Sequence, residues 1–193
     1  MPGRGADRPV GALAREDGAD PSGRLAGSGA ERDLERGGPP VSDHRLASIT
    51  LDAASLPAAS AEIEHERRVA IFDLVEKNSF EPAGAETGPY ALKLSSQDGR
   101  LVFDIAGPHF AKAHGLSMSP LSKTIKDYID ICDSYYEVLR GTDVSKIEAV
   151  DMGRRGLHNE GAELLKSRLD GKITVDHETA RRLFTLVTAL YRR

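Results

Sequence analysis

Residues 90–105 read YALKLSSQDGRLVFDI, two runs of alternating apolar and polar residues joined across Gln97-Asp98-Gly99. Successive side chains leave a strand on opposite sides, so strict alternation marks a strand with one face buried. Asp-Gly between two such runs favours a tight hairpin whose turn residues take positive φ. The reading places Tyr90, Leu92 and Leu94 on one face, with Leu101, Phe103 and Ile105 as the matching set.

The flanking segments extend this hairpin in both directions. Upstream, RLASITLD (45–52) alternates Ile49 and Leu51 against Ser48 and Thr50, which suits a half-buried strand. After a short loop at Pro57, AEIEHERRVAIFDLVEKNS (61–79) reads as a helix. Its Val69, Ala70, Ile71, Phe72, Leu74 and Val75 spread so widely about the axis that the second half should be buried on most sides. Downstream, Phe110 to Met118 reads as a third strand of the meander. It ends at Ser119-Pro120, a helix cap followed by proline in the first helical position.

The next helix carries Ile125, Tyr128, Ile129, Cys132, Tyr135, Tyr136 and Leu139 at helical spacing and stops at Gly141. KITV (172–175) reads as a short strand. The last helix starts from Asp176 as cap and has Ala180, Leu183, Phe184, Val187, Leu190 and Tyr191 as its core stripe. It closes on Arg192 and Arg193, which suit the negative end of a helix. The fold class expected is α+β: a small antiparallel sheet of three to four strands packed with four to five helices.

Composition divides the chain. The first aromatic residue is Phe72 and the first lysine Lys77, whereas nine of 19 glycines and five of ten prolines fall in the first 44 positions. A segment with so little to bury cannot offset an ordering cost of roughly 1–2 kcal/mol per residue. Residues 1–44 therefore read as a disordered tail, and residues 45–193 as a single domain. The formal charge of −4 leaves no electrostatic footprint for nucleic acid. Six arginines between Arg4 and Arg36 suggest a basic arm, but eight carboxylates from Asp7 to Asp43 outnumber them.

No apolar run approaches the ~18 residues of a membrane-spanning helix, and the N-terminus lacks the apolar core of a secretory signal. The single cysteine cannot form an internal disulfide. These features point to a cytoplasmic protein that binds neither membrane nor nucleic acid.

One stretch is dense enough in chemistry to be a candidate site. DMGRRGLHNEGAELL (151–165) sets Arg154, Arg155, His158, Asn159 and Glu160 beside Asp151 and two glycines. If Val144 to Leu169 is one helix, advancing about 100° per residue, Leu157, Gly161, Leu164 and Leu165 share an apolar arc with Val144, Ile147 and Val150. Arg154 then projects near the centre of that arc, where a charge demands partners. Asp151, at i,i+3 to Arg154 and i,i+4 to Arg155, is the nearest. If instead Gly153 and Gly156, each costing a helix interior roughly 1 kcal/mol, break the helix, the arginines are exposed at a corner. Both geometries stay open on the sequence.

The remaining chemistry-bearing residues read as structure. Cys132 sits in an apolar stripe between Asp130 and Asp133, a setting for a buried small hydrophobe rather than a thiolate. Six histidines form no metal spacing, and neither metal nor cofactor is expected. His65 aligns with Val69 and Phe72 as a core-edge residue. Tyr135 and Tyr136 read as core packing with one wet hydroxyl.

DMGRRGLHNEG, together with EHERRVAIFDLVEKNSFE, GPYALKL, RLVFDI, KDYIDICDSYYE and TARRLFTL, resembles the bacterial uncharacterised protein family numbered 0262 in the UPF series. The resemblance runs from about residue 46 to 193 and implies a small cytoplasmic bacterial protein. It carries over no catalytic residue. It also implies that residues 1–44 are an extension from an upstream start codon; with no methionine between Met1 and Met118, a start nearer the domain needs another codon, such as that of Val41.

Three functions fit the residues. The first is a non-catalytic ligand-binding or regulatory protein that recognises an anionic small molecule or a partner's acidic group. Arg154 and Arg155 would do so, with His158 and Asn159 as directional donors and Asp151 as anchor. The second is a hydrolase or transferase in which His158 or Glu160 moves a proton. The third is a structural interaction module, including a homodimer that buries one of the wide apolar helices.

Overall fold

The computed structural model describes residues 43–192. The tail expected over residues 1–44 lies outside them except for Asp43 and His44, and Arg193 also lies outside. The elements in chain order are β1 (Leu46–Leu51), α1 (Ala61–Glu76), β2 (Phe80–Pro82), β3 (Tyr90–Gln97), β4 (Arg100–Gly107) and β5 (Phe110–Ser117). They continue with α2 (Ser122–Leu139), α3 (Val144–Leu169), β6 (Ile173–Val175) and α4 (His177–Tyr191).

The hairpin forms as its residues dictate. Asp98 and Gly99 take φ of 49° and 72°, the positive values that a tight turn with the strands' own twist requires. Leu92 pairs with Ile105 and Leu94 with Phe103; these four and Leu101 are at most 1% exposed. β5 continues the meander antiparallel to β4. β1 adds on the other side of β3 in the order β1-β3-β4-β5.

β1 corrects the expectation of a purely antiparallel sheet, because it pairs with β3 in parallel. The reason is the connection. α1 intervenes between β1 and β3, and a helical crossover returns the chain in the same direction, whereas only a tight turn reverses it. A second sheet, β2 with β6, was not expected: Phe80 pairs with Val175 and Pro82 with Ile173. β2 is too short to carry an alternation signal.

The helices pack the core on their stripes, except at the start of α2, along α1, and in the last turns of α2, where Tyr136 and Leu139 of the expected stripe are exposed. α2 begins at Ser122 rather than Pro120; Ser119-Pro120 forms a turn whose Ser119 carbonyl accepts from the Ser122 hydroxyl at 2.8 Å. Leu121, the residue at the start, is fully buried and sets the entry. α1 is not buried on most sides. It buries one line, Ile63, Arg67, Ala70 and Leu74, while Val69 is 45% and Phe72 66% exposed.

Arg67 occupies a core position on that line. Its guanidinium donates to the carbonyls of Ala189 and Leu190 at 3.1 and 3.3 Å, to Pro57 at 3.2 Å, and to Glu64 at 2.7 Å. The two α4 carbonyls belong to a last turn that has no intrahelical donor left for them and carries the negative end of the helix dipole. The charge is thus buried against the groups that need it.

Candidate functional site

α3 runs unbroken for 26 residues through Gly153 and Gly156, so the continuous geometry holds. Gly153 and Gly161 serve packing. A Cβ on Gly161 would stand 2.2–2.5 Å from three carbons of the Phe184 ring, and one on Gly153 would meet Ile131 Cδ1 at 2.8 Å. These positions let α3 approach α4 and α2 closely. Gly156 faces open space.

Asp151 gathers both arginines. Arg154 donates Nε and Nη2 to Asp151 Oδ1 at 3.1 and 2.7 Å, and Arg155 Nη2 lies 2.7 Å from Oδ2. The Arg154 bond, opposed by partial burial and aided by Arg155, holds the Asp151 carboxyl below its ordinary range. Arg154 is half-buried, its guanidinium 5.0 Å from the Tyr135 ring centroid, a cation–π contact with α2. The Arg155 side chain is 70% exposed.

His158, one turn after Arg154, lies between α2 and α4. Its Nδ1 accepts from Arg181 Nε and Nη2 at 3.3 and 3.2 Å. Arg181 has only donors, so Nδ1 is bare and the proton sits on Nε2. Nε2 donates to the Arg181 carbonyl at 3.1 Å and meets Thr185 Oγ1 at 2.9 Å. The ring stacks on Tyr128 at 5.1 Å and 17° and lies against Phe184. Burial, then the Arg181 charge, push its pKa down to about 4, so the ring is neutral near pH 7. Asn159 and Glu160 face solvent. The predicted residues therefore form an Asp151–Arg154–Arg155 triad beside α2 and a His158–Arg181–Thr185 knot between α2 and α4, with Asn159 and Glu160 in neither.

A second feature lies on the other side of α2. α1 and α2 flank a cavity of about 360 Å³ whose floor is α4. Val69, Ala70, Ile129, Cys132 and Tyr136 supply apolar wall, and Thr188 contributes a buried hydroxyl without a hydrogen-bond partner. Burial pushes the Cys132 thiol above its ordinary pKa and the Tyr128 hydroxyl up to about 12. Arg192 crosses the groove, ion-paired with Glu66 of α1 and Asp133 of α2. Among the described residues, no three histidines, cysteines or carboxylates converge to hold a metal. No helix there is long and apolar enough to cross a membrane.

The model of the Uncharacterised protein family (UPF0262) matches residues 43–193. The chain belongs to UPF0262. Among bacterial relatives, the UPF0262 protein of Caulobacter vibrioides is 57% identical over 151 residues, which is 78% of this chain and 95% of that protein. That of Phenylobacterium zucineum is 55% identical over 150 residues, 78% and 94% of the two chains, and that of Agrobacterium fabrum 53% over 153 residues, 78% and 97%. No solved structure matches.

In this UPF0262 domain the groove was missed because its walls come from helices about 60 residues apart. The signal existed: Val69 and Phe72 overfill the apolar face of α1. His65 lies with them, exposed on the groove rather than at a core edge, and Tyr136 is 55% exposed rather than packed in the core. Arg67 was missed because EHERR reads as a solvated charge run.

Proposed function

We propose that this protein is a non-catalytic interaction module whose working surface is the groove between α1 and α2. One observation carries the reading: Val69 on α1 and Tyr136 on α2 are exposed on the two sides of a cavity with mostly apolar walls, and Leu139 extends the α2 side beyond it. Large apolar side chains scattered singly are ordinary, but a rimmed apolar concavity marks a place where another chain docks. The proton-transfer reading has weaker support, since both ring nitrogens of His158 are already bonded and no lone pair faces solvent.

The test is site-specific photo-crosslinking in cells, with a benzophenone amino acid at position 69 or 136 and a control at Asp98 on the hairpin turn. Discrete adducts from the two groove positions and none from the turn are expected. The same adducts from all three positions, or none from any, would refute the reading.

A second reading, recognition of an anionic group by Arg154 and Arg155, is supported by the charge count of the triad. Asp151 is one carboxylate shared by two guanidiniums, which leaves a net positive charge on exposed Arg155. A thermal-shift screen of phosphorylated metabolites checks it. Any stabilising hit should vanish in the double variant Arg154→Ala, Arg155→Ala, and a hit that persists there removes the arginines from the account.

A further inference from the structure

The groove carries a charge pattern that specifies its occupant. Toward the C-terminal end of α2 it is lined by Glu62 and Glu66 from α1 and by Asp133 and Glu137 from α2, with Arg140 and Arg192 among them. Arg192 is shared by Glu66 and Asp133, so that triad keeps one negative charge in excess. Glu62, Glu137 and Arg140 have no ion-pair partner among the described residues, so this half keeps a net two negative charges. Toward the other end, Asp73 also borders a surface formed with Glu76, Lys77 and Arg182, which balances it. One half of the groove is therefore acidic around an apolar strip, and the other half is close to neutral.

We propose that the groove between α1 and α2 receives an amphipathic helix of a partner protein. That helix presents an apolar stripe to Val69, Ile129, Tyr136 and Leu139, and gathers lysines or arginines over Glu62, Glu66, Asp133 and Glu137. The dimensions agree. α1 spans 16 residues, on the order of 24 Å at about 1.5 Å per residue, room for a helix of three to four turns. Leu139 lies beyond the cavity, one turn after Tyr136, so the apolar strip along α2 is longer than a small molecule filling the cavity would need.

A second copy is the weaker occupant. A two-fold dimer through this face would set the acidic half against either itself or the near-neutral half, and neither arrangement supplies the positive charge that the acidic half attracts. Opposite charge speeds encounter and fixes register, which is what a basic helix gains here.

This inference rests on the interaction reading above but can fail separately from it. The experiment is selection from a displayed library of 18-residue helical peptides with a fixed leucine stripe at i, i+3, i+4 and i+7 and randomised flanks, against the full chain. The expected result is enrichment of lysine and arginine flanks. The selected peptides should lose at least tenfold in affinity for Val69→Asp and for Tyr136→Asp, and should weaken with added salt and for the double variant Glu62→Gln, Glu137→Gln. Circular dichroism and melting of each variant confirm that it folds.

Enrichment of neutral or acidic flanks with loss of binding to Val69→Asp would overturn the basic partner and leave the interaction surface standing. No enrichment, or peptides that bind both groove variants unchanged, would overturn both. A dimer in light scattering that Tyr136→Asp disperses would assign the face to a second copy instead.

Discussion

Alanine at Gly156 and at Gly161 should move stability in opposite directions, although both lie in one helix five residues apart. Each substitution gains the same helix propensity, roughly 1 kcal/mol, because alanine loses less backbone entropy than glycine. At Gly156 nothing lies within 4 Å of the new Cβ, so the gain stands. At Gly161 the Cβ would enter the Phe184 ring at 2.2–2.5 Å. That ring is fully buried and held by Tyr128 and His158 at centroid distances of 5.5 and 5.9 Å, so it has nowhere to retreat.

Overpacking of this kind costs about 1–3 kcal/mol. Since the propensity gain is common to both, the difference between the two variants isolates the overpacking, and Gly161→Ala should be the less stable by about 1–3 kcal/mol. Urea unfolding followed by circular dichroism at 222 nm measures it, with a shift in midpoint at constant slope. For a domain of this size each kcal/mol corresponds to about 2–4 °C in Tm. Equal stability of the two variants would refute the close α3–α4 packing. Loss of stability in Gly156→Ala would refute the unbroken helix.

Other outcomes follow from the same geometry. Replacing Arg67 by Met should cost about 2–5 kcal/mol, because the Ala189 and Leu190 carbonyls lose their buried donors; Arg67→Lys should recover only part of it, and urea midpoints measure both. His158 is held neutral, so its contribution is complete above an ordinary histidine pKa of about 6.5 and is lost as pH falls through about 4. Unfolding free energy should therefore drop by roughly 2–3 kcal/mol more across that interval in the parent chain than in His158→Gln, and parallel pH profiles would contradict the buried ring. Cys132 should react with iodoacetamide more slowly than a free thiol at pH 7, because burial raises its pKa, and a peptide seated in the groove should slow it further. Mass spectrometry over a time course follows both.

Periodicity and turn chemistry decide a great deal by themselves. The hairpin was legible because Asp98 and Gly99 accept the positive φ that few residues tolerate, and because alternation forces Leu92, Leu94, Phe103 and Ile105 to one side. α4 was legible as well: Asp176 caps it through the Thr179 amide, and its apolar stripe has one solution. Half of the candidate site was legible for the same local reason. Asp151 must reach Arg154 and Arg155 once the backbone is helical, because i,i+3 and i,i+4 neighbours share a face.

What local rules left open needed distant chain. Whether Gly153 and Gly156 break α3 depends on what lies beside them, and only Ile131 and Phe184, brought in from α2 and α4, show that small residues are needed at 153 and 161. His158 gains its role from Arg181 and Thr185, more than 20 residues away, and Arg67 from carbonyls more than 120 residues away. The direction of β1 depends on the crossover that carries the chain back to β3. The sequence determines which segments form helices and strands, because that is governed by neighbours along the chain. Tertiary structure decides which charges are buried and which apolar side chains stay in water, because burial is shared between elements and no single element contains it.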